Sequence, residues 1–101
     1  MSTRGRYFVY ILASRKYGAI YVSVTGDLVA RIYIHREDIL SGFSSKYHTH
    51  NLVYFEQHED PTEAITREKR IKKWRREWKI RLIEESNPGW ADLYPAIAAG
   101  E

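Results

Sequence analysis

The sequence predicts a small α+β fold, a three-stranded, mainly antiparallel sheet flanked by helices in the order β-β-α-β-α-α. Three observations predict it. Runs rich in aromatic and β-branched residues, bounded by turn formers, occur at 7–13, 19–24 and 52–57. Helical spacing of apolar residues begins after Gly26 and again after Pro61. At 101 residues the chain has room for one domain with one core, expected over about 6–94.

Each element has a local cause. Tyr7–Ala13 reads as the first strand, Ser14-Arg-Lys-Tyr-Gly18 as a turn and Ala19–Val24 as the second strand. Strand side chains alternate, so Val9 and Ile11, with Ile20, Val22 and Val24, form a natural core face. The other face carries Phe8, Tyr10 and Leu12 beside Ala19, Tyr21 and Ser23. A turn centred between Arg15 and Lys16 would set Tyr10 opposite Tyr21 as a cross-strand aromatic pair. Thr25 or Asp27 can cap a helix that runs to about Leu40, with apolar positions at Leu28, Ile32 and Ile39. Ser41–His50 is polar and contains glycine, and reads as a loop; Leu52–Gln57 is the third strand. Asp60-Pro-Thr-Glu63 announces a helix: Asp60 as the cap, Pro61 at the first position and Glu63 closing a capping box. Its periodicity runs to about Ser86 with a bend or break near Trp74, and Asn87-Pro-Gly89 ends it. Trp90–Tyr94 is expected to pack back and Ala96–Glu101 to fray.

Composition narrows the function. Without cysteine the chain has no disulfide and no thiolate metal site, which fits a reducing compartment. The start, Met-Ser-Thr-Arg-Gly-Arg, lacks the apolar stretch of an export signal, and the longest apolar run, Phe8–Ala13, is too short to span a bilayer. A cytoplasmic protein without a membrane partner is expected. The net charge of +3 is unevenly spread: 66–81 holds nine basic residues against two acidic ones, a local +7 that leaves −4 elsewhere. Arg67, Lys69, Arg70, Lys72, Lys73, Arg75 and Arg76 are the candidate nucleic-acid contacts. Trp74, Trp78 and Trp90 in or just beyond this run suit base or sugar stacking. A solvated helix surface is the alternative reading of the same charges.

Three further positions carry chemistry. Arg31 and His35 are four apart and share a helix face next to the stripe that Leu28 begins. Glu68 is spaced to fall within the apolar face set by Ala64, Ile65 and Ile71. A carboxylate there has to be paired, hydrogen-bonded or metal-bound, because burying it alone is expensive. A salt bridge to a neighbouring base is one reading. A ligand for Mg²⁺, which keeps most of its waters, is the other.

These residues together resemble the GIY-YIG nucleases. Phe8-Val9-Tyr10 and Tyr21-Val22-Ser23 look like the two half-motifs, Arg31 and His35 match the helix after them, and Glu68 matches the glutamate of a later helix. The resemblance is nearest to small stand-alone bacterial members and covers about Tyr7–Tyr94. It includes Lys46-Tyr47, the Leu52–Glu56 strand, and the Trp-Lys and Asn-Pro-x-Trp endings. Two departures are visible: Phe8 replaces the first motif glycine and Ser23 the second. Serine adds a side chain to the Tyr10/Tyr21 face where glycine allows close backbone approach.

The resemblance implies metal-dependent endonuclease activity on nucleic acid, DNA rather than RNA, in repair or processing. Tyr10 or Tyr21 would orient or deprotonate the attacking water, with Arg31 lowering the tyrosine pKa and holding phosphate. His35 would support phosphate or tyrosine, and Glu68 would hold one Mg²⁺ or Mn²⁺ ion. Ser23, Lys46, Tyr47 and Asn87 are further possible site residues. Two alternatives are a nucleic-acid-binding module that has lost turnover, with Ser23 as the lesion, and a protein-interaction domain. The oligomeric state is not encoded in any feature of the sequence.

Overall fold

The computed structural model describes residues 7–37 and 49–99. Three strands, β1 (Tyr7–Ala13), β2 (Ile20–Thr25) and β3 (Asn51–His58), form an antiparallel sheet in the order β2-β1-β3. Helix α1 (Leu28–Arg36) follows the hairpin. Helices α2 (Pro61–Lys73), α3 (Arg76–Ser86) and α4 (Tyr94–Ala98) follow β3. The fold is α+β, as the sequence predicts. No helix among the described residues is long and apolar enough to cross a membrane.

The central strand explains the layering. β1 is paired on both sides, and Val9 through Ala13 are buried. Its odd-numbered residues join Val22, Val53, Ala64, Ile71, Ile83 and Trp90 in one cluster, under α2 and α3. Its even-numbered residues, Tyr10 and Leu12, join Leu28, Ile32 and Leu52 in a second cluster under α1. Period-two alternation therefore sends aliphatic residues to one layer and the tyrosine to the other.

The hairpin register differs from expectation. Tyr10 lies opposite Ser23, and Leu12 lies opposite Tyr21, so the two tyrosines are not directly paired. The turn is centred one residue later, between Lys16 and Tyr17. Tyr17 takes the left-handed conformation, with φ of 62°. Gly18 follows because a Cβ there would overlap the Ser14 hydroxyl. Ser14 N–H donates to the Ala19 carbonyl at 3.1 Å and Gly18 N–H to the Arg15 carbonyl at 2.8 Å, closing this turn.

Helix α1 is capped as expected by Asp27, whose Oδ1 accepts from the Ala30 amide at 3.2 Å. It ends at Arg36; the expected continuation to Leu40, Ile39, and the loop positions Lys46 and Tyr47 lie outside the described residues. Asp60 stands at the start of α2 with Pro61 after it, but its side chain makes no capping bond, so the capping box does not close. The long helix breaks at Trp74 and Arg75, both extended, with ψ of 155° and 153°.

The C-terminal segment is more ordered than the sequence suggests. Tyr94–Ala98 forms a short helix in place of a frayed end. The segment before it closes the outer edge of β3: Leu93 N–H donates to the Leu52 carbonyl at 2.7 Å, and Asp92 Oδ1 accepts from Leu52 N–H at 3.0 Å. Arg36 holds Asp92 from α1 at 2.6 Å. β3 carries a bulge beside Leu12, and Asn87 Nδ2 donates to the Val53 carbonyl there at 3.0 Å. One edge of the sheet is thereby covered. The edge formed by β2 carries the candidate site.

Candidate active site

Tyr10 is the centre of the site. It is fully buried, and its hydroxyl lies 3.0 Å from His35 Nε2. Burial raises its pKa to about 12; a Ser23 hydrogen bond and the Arg31 charge pull it down, while Tyr21 and Glu68 push it up. Two consequences follow. Tyr21, Ser23, Arg31 and Glu68 all lie within electrostatic reach of Tyr10, and the five residues come from four separate elements. Tyr10 also stays protonated at neutral pH, because burial outweighs the guanidinium expected to activate it.

His35 links the two tyrosines. Its ring packs edge-on against Tyr10, with centroids 5.9 Å apart, and against Tyr21 at 5.3 Å. Burial, then Arg31 and His50, lower its pKa below the usual histidine value. At pH 7 it is neutral. The proton assignment that satisfies all three groups has Ser23 donating to the Tyr10 oxygen, Tyr10 donating to Nε2, and the ring proton on Nδ1. Tyr21, unlike Tyr10, reaches solvent.

Glu68 is buried in α2 between Ala64 and Ile71 as the spacing predicts, with its side chain 8 % exposed. Ile65, assigned to the same face from the sequence, is 44 % exposed instead. Lys72, one helical turn on, meets the Glu68 carboxylate at 2.5 Å. That lysine is therefore the ion-pair partner of the candidate metal ligand as well as part of the basic run.

Two clefts lie along β2. One, of about 320 Å³, is lined by Tyr7, Val24, Thr25, Gly26, Arg31, Pro61 and Ile65. The other, of about 260 Å³, is lined by Ile20, Tyr21, Val22, Lys72 and Lys79. The open edge thus presents Arg31 at one end, Tyr21 nearer the other, and lysines beyond it. Lys79 was not singled out in the sequence; burial, then Arg76, lower its pKa. Only its place on α3 across from β2 reveals it.

Other candidates serve the scaffold. Asn87 donates to the Val53 and Ala91 carbonyls and accepts from Ala91 N–H, so its amide clamps the C-terminal segment. Arg67 grips Glu56 through two bonds of 2.9 and 3.2 Å and lies over Trp74. Arg76 donates to the Tyr17 and Gly18 carbonyls and pins the hairpin turn. Lys69, Arg70 and Lys73 are exposed on α2, and Arg75 is exposed at the break between α2 and α3.

The metal question turns on the donor set. Among the described residues no three acidic or histidine side chains cluster as a cage. One buried carboxylate already drawing a cation fits a hydrated divalent ion that takes its remaining ligands from water and phosphate.

A half-buried tyrosine, a neutral histidine, an arginine and a buried glutamate thus lie beside one open strand edge, in the chain order that the resemblance to GIY-YIG domains implies. The chain belongs to that family: the model described as the GIY-YIG catalytic domain matches residues 6–81. It is similar to UPF0213 proteins of Staphylococcus aureus strains Mu3, N315 and MW2. Each is 34 % identical over 79 residues, spanning 78 % of this chain and 95 % of the relative. These relatives are themselves small GIY-YIG family proteins. No solved structure matches the chain.

Proposed function

We propose that this protein is a divalent-metal-dependent endonuclease that hydrolyses phosphodiester bonds in DNA. The gathering of Tyr21, His35, Arg31 and Glu68 around buried Tyr10 supports this reading. Tyr21, the more exposed of the two tyrosines, orients the attacking water. Tyr10, protonated and bonded to His35, is a positioning residue that fixes the imidazole against Tyr21. Arg31 binds the non-bridging oxygens, where charge builds as water oxygen bonds to phosphorus and the ester oxygen leaves. Glu68 would hold the metal, with Lys72 displaced; the bound ion supplies Lewis-acid stabilisation of the leaving oxygen. Exposed Lys69, Arg70 and Lys73 hold the phosphates on either side.

The deciding experiment incubates the protein with supercoiled, branched and single-stranded DNA, with Mg²⁺ or Mn²⁺ and then with EDTA. Cleavage that requires the ion is the expected result. The burial of Tyr10 favours a second reading, a binding module without turnover. That reading predicts salt-sensitive binding to the same substrates and no cleavage under any ion.

A further inference from the structure

A second feature lies on the other flank of α2. Where the helix breaks, Trp74 and Trp78 meet edge to face with centroids 6.2 Å apart, and Trp78 is 52 % exposed. With Arg67, Arg81, Leu82 and Glu85 they line a pocket of about 400 Å³. That volume lies within the range of small-molecule sites. Position 68 points toward β2 and the tyrosines, whereas Arg67 points toward β3 and Glu56. The pocket and the candidate active site therefore lie on opposite flanks of one helix, with exposed Lys69 and Lys73 on the helix between them.

We propose that this pocket binds an unpaired nucleobase of a nucleic-acid strand whose backbone runs along the basic face of α2. The proposal rests on the nucleic-acid reading above and adds a substrate class, strands that carry unpaired bases. Four observations carry it. A large exposed aromatic surface sits in the most basic part of the chain, so charge complementarity selects a polyanion over a neutral partner. The Arg67 guanidinium, fixed by Glu56, lies 5.3 Å from the Trp74 ring centroid and holds that ring in place. Trp78 and Leu82, four residues apart on α3, give a flat apolar wall on which a base can stack. Glu85 in the lining repels phosphate and accepts from a base N–H, so the base enters and the backbone stays by Arg81 and the lysines.

The test measures binding in EDTA, so that cleavage plays no part. Probes are oligothymidylate, an abasic strand with the same number of phosphates, and a blunt duplex. Tryptophan fluorescence reports the pocket, since Trp90 is 5 % exposed. Oligothymidylate is expected to quench the signal and to bind at least about tenfold more tightly than the abasic strand, the size of one lost stacking contact. Trp78→Ala should erase that difference, leave duplex binding and melting temperature unchanged, and Trp78→Phe should restore it. Equal affinity for thymidylate and abasic strands overturns the base pocket and leaves the nuclease reading intact. Quenching by polyglutamate as strong as by oligothymidylate overturns it in favour of an acidic protein partner. No binding of any strand at low salt overturns both readings together.

Discussion

Glu56, on β3 beside α2, and Glu68, on α2 itself, are both largely shielded from solvent, yet their surroundings differ. Glu56 is saturated: Tyr54 donates at 2.5 Å, His58 lies at 2.6 Å, and Arg67 adds two bonds. Burial alone would raise its pKa, but the bonds from Arg67, Tyr54 and His58 overrule burial and hold it below the usual carboxylate value. For Glu68 the ion pair among the described residues is with Lys72, whose side chain is 52 % exposed. A carboxylate enclosed by four fixed donors is part of the scaffold. A carboxylate whose ion-pair partner among the described residues is a half-exposed lysine can exchange that cation for another.

The largest expected effect tests the scaffold side. Glu56→Gln leaves Arg67 beside a neutral amide and puts an NH₂ donor in place of one of the two oxygens that Tyr54 (on Oε1) and His58 (on Oε2) occupy. Breaking such a pair costs about 3 kcal/mol. In a domain of this size that lowers the melting temperature by more than about 10 °C. A variant that melts within a few degrees of wild type would show Glu56 to be no scaffold element.

Glu68→Gln should behave oppositely. Glutamine keeps the shape and one carbonyl acceptor, and Lys72 can turn to solvent, so melting should shift by only a few degrees. Cleavage should fall at least about a hundredfold, as when a charge-stabilising group is removed from a transition state. Mg²⁺ binding followed by calorimetry should weaken with it. A variant that melts far lower while its folded fraction cuts at the wild-type rate would refute the metal role.

The contrast between the two carboxylates was only half legible in the sequence. Glu68 stood out because helical spacing places it among apolar residues, a local signal. Glu56 did not, because its partners lie at 54, 58 and 67 and the strand pattern alone reads as ordinary alternation. The sheet, the helix break at Trp74 and the core face of the hairpin follow from short-range chemistry, and all were legible. The register was not: a left-handed Tyr17 before Gly18 moves the turn by one residue, and each cross-strand partner of β1 then shifts by two. The roles of Asn87 and Asp92 rest on contacts made 34 and 40 residues away, which no local pattern encodes. Lys72 read as one more base in a run, and only the fold shows it holding Glu68.

Acid separates the two regions again. The folded-state pKa of His35 is depressed, so as pH falls below 6.5 the unfolded chain takes up a proton that the folded site resists. Stability is therefore lost from about pH 6.5 downward. The depressed pKa of Glu56 gives a separate loss that begins only near 4.5, its ordinary value. Melting curves across this range should show both phases, and His35→Gln should flatten the first and keep the second. A first phase unchanged in that variant would place its origin in another group.

Ser23 gives the smallest effect and the finest test of the tyrosine site. It lies opposite Tyr10 and hydrogen-bonds to its hydroxyl, so serine fills the place of the motif glycine with a polar contact. Ser23→Gly removes that bond and adds backbone freedom to an edge strand, each worth about 1 kcal/mol or less. Tyr10 keeps its bond to His35, so cleavage is expected to stay within about threefold of wild type. Ser23→Ala removes the hydroxyl but keeps the Cβ, and the pair of variants separates two causes. If glycine raises the rate and alanine does not, the serine side chain crowds the phosphate. If both variants lose more than about tenfold, the hydroxyl belongs to the machinery that positions Tyr10, and the change from glycine is an adaptation of the site instead of a lesion in it. If neither variant changes the rate, His35 alone positions Tyr10, and Ser23 serves only to satisfy a buried oxygen.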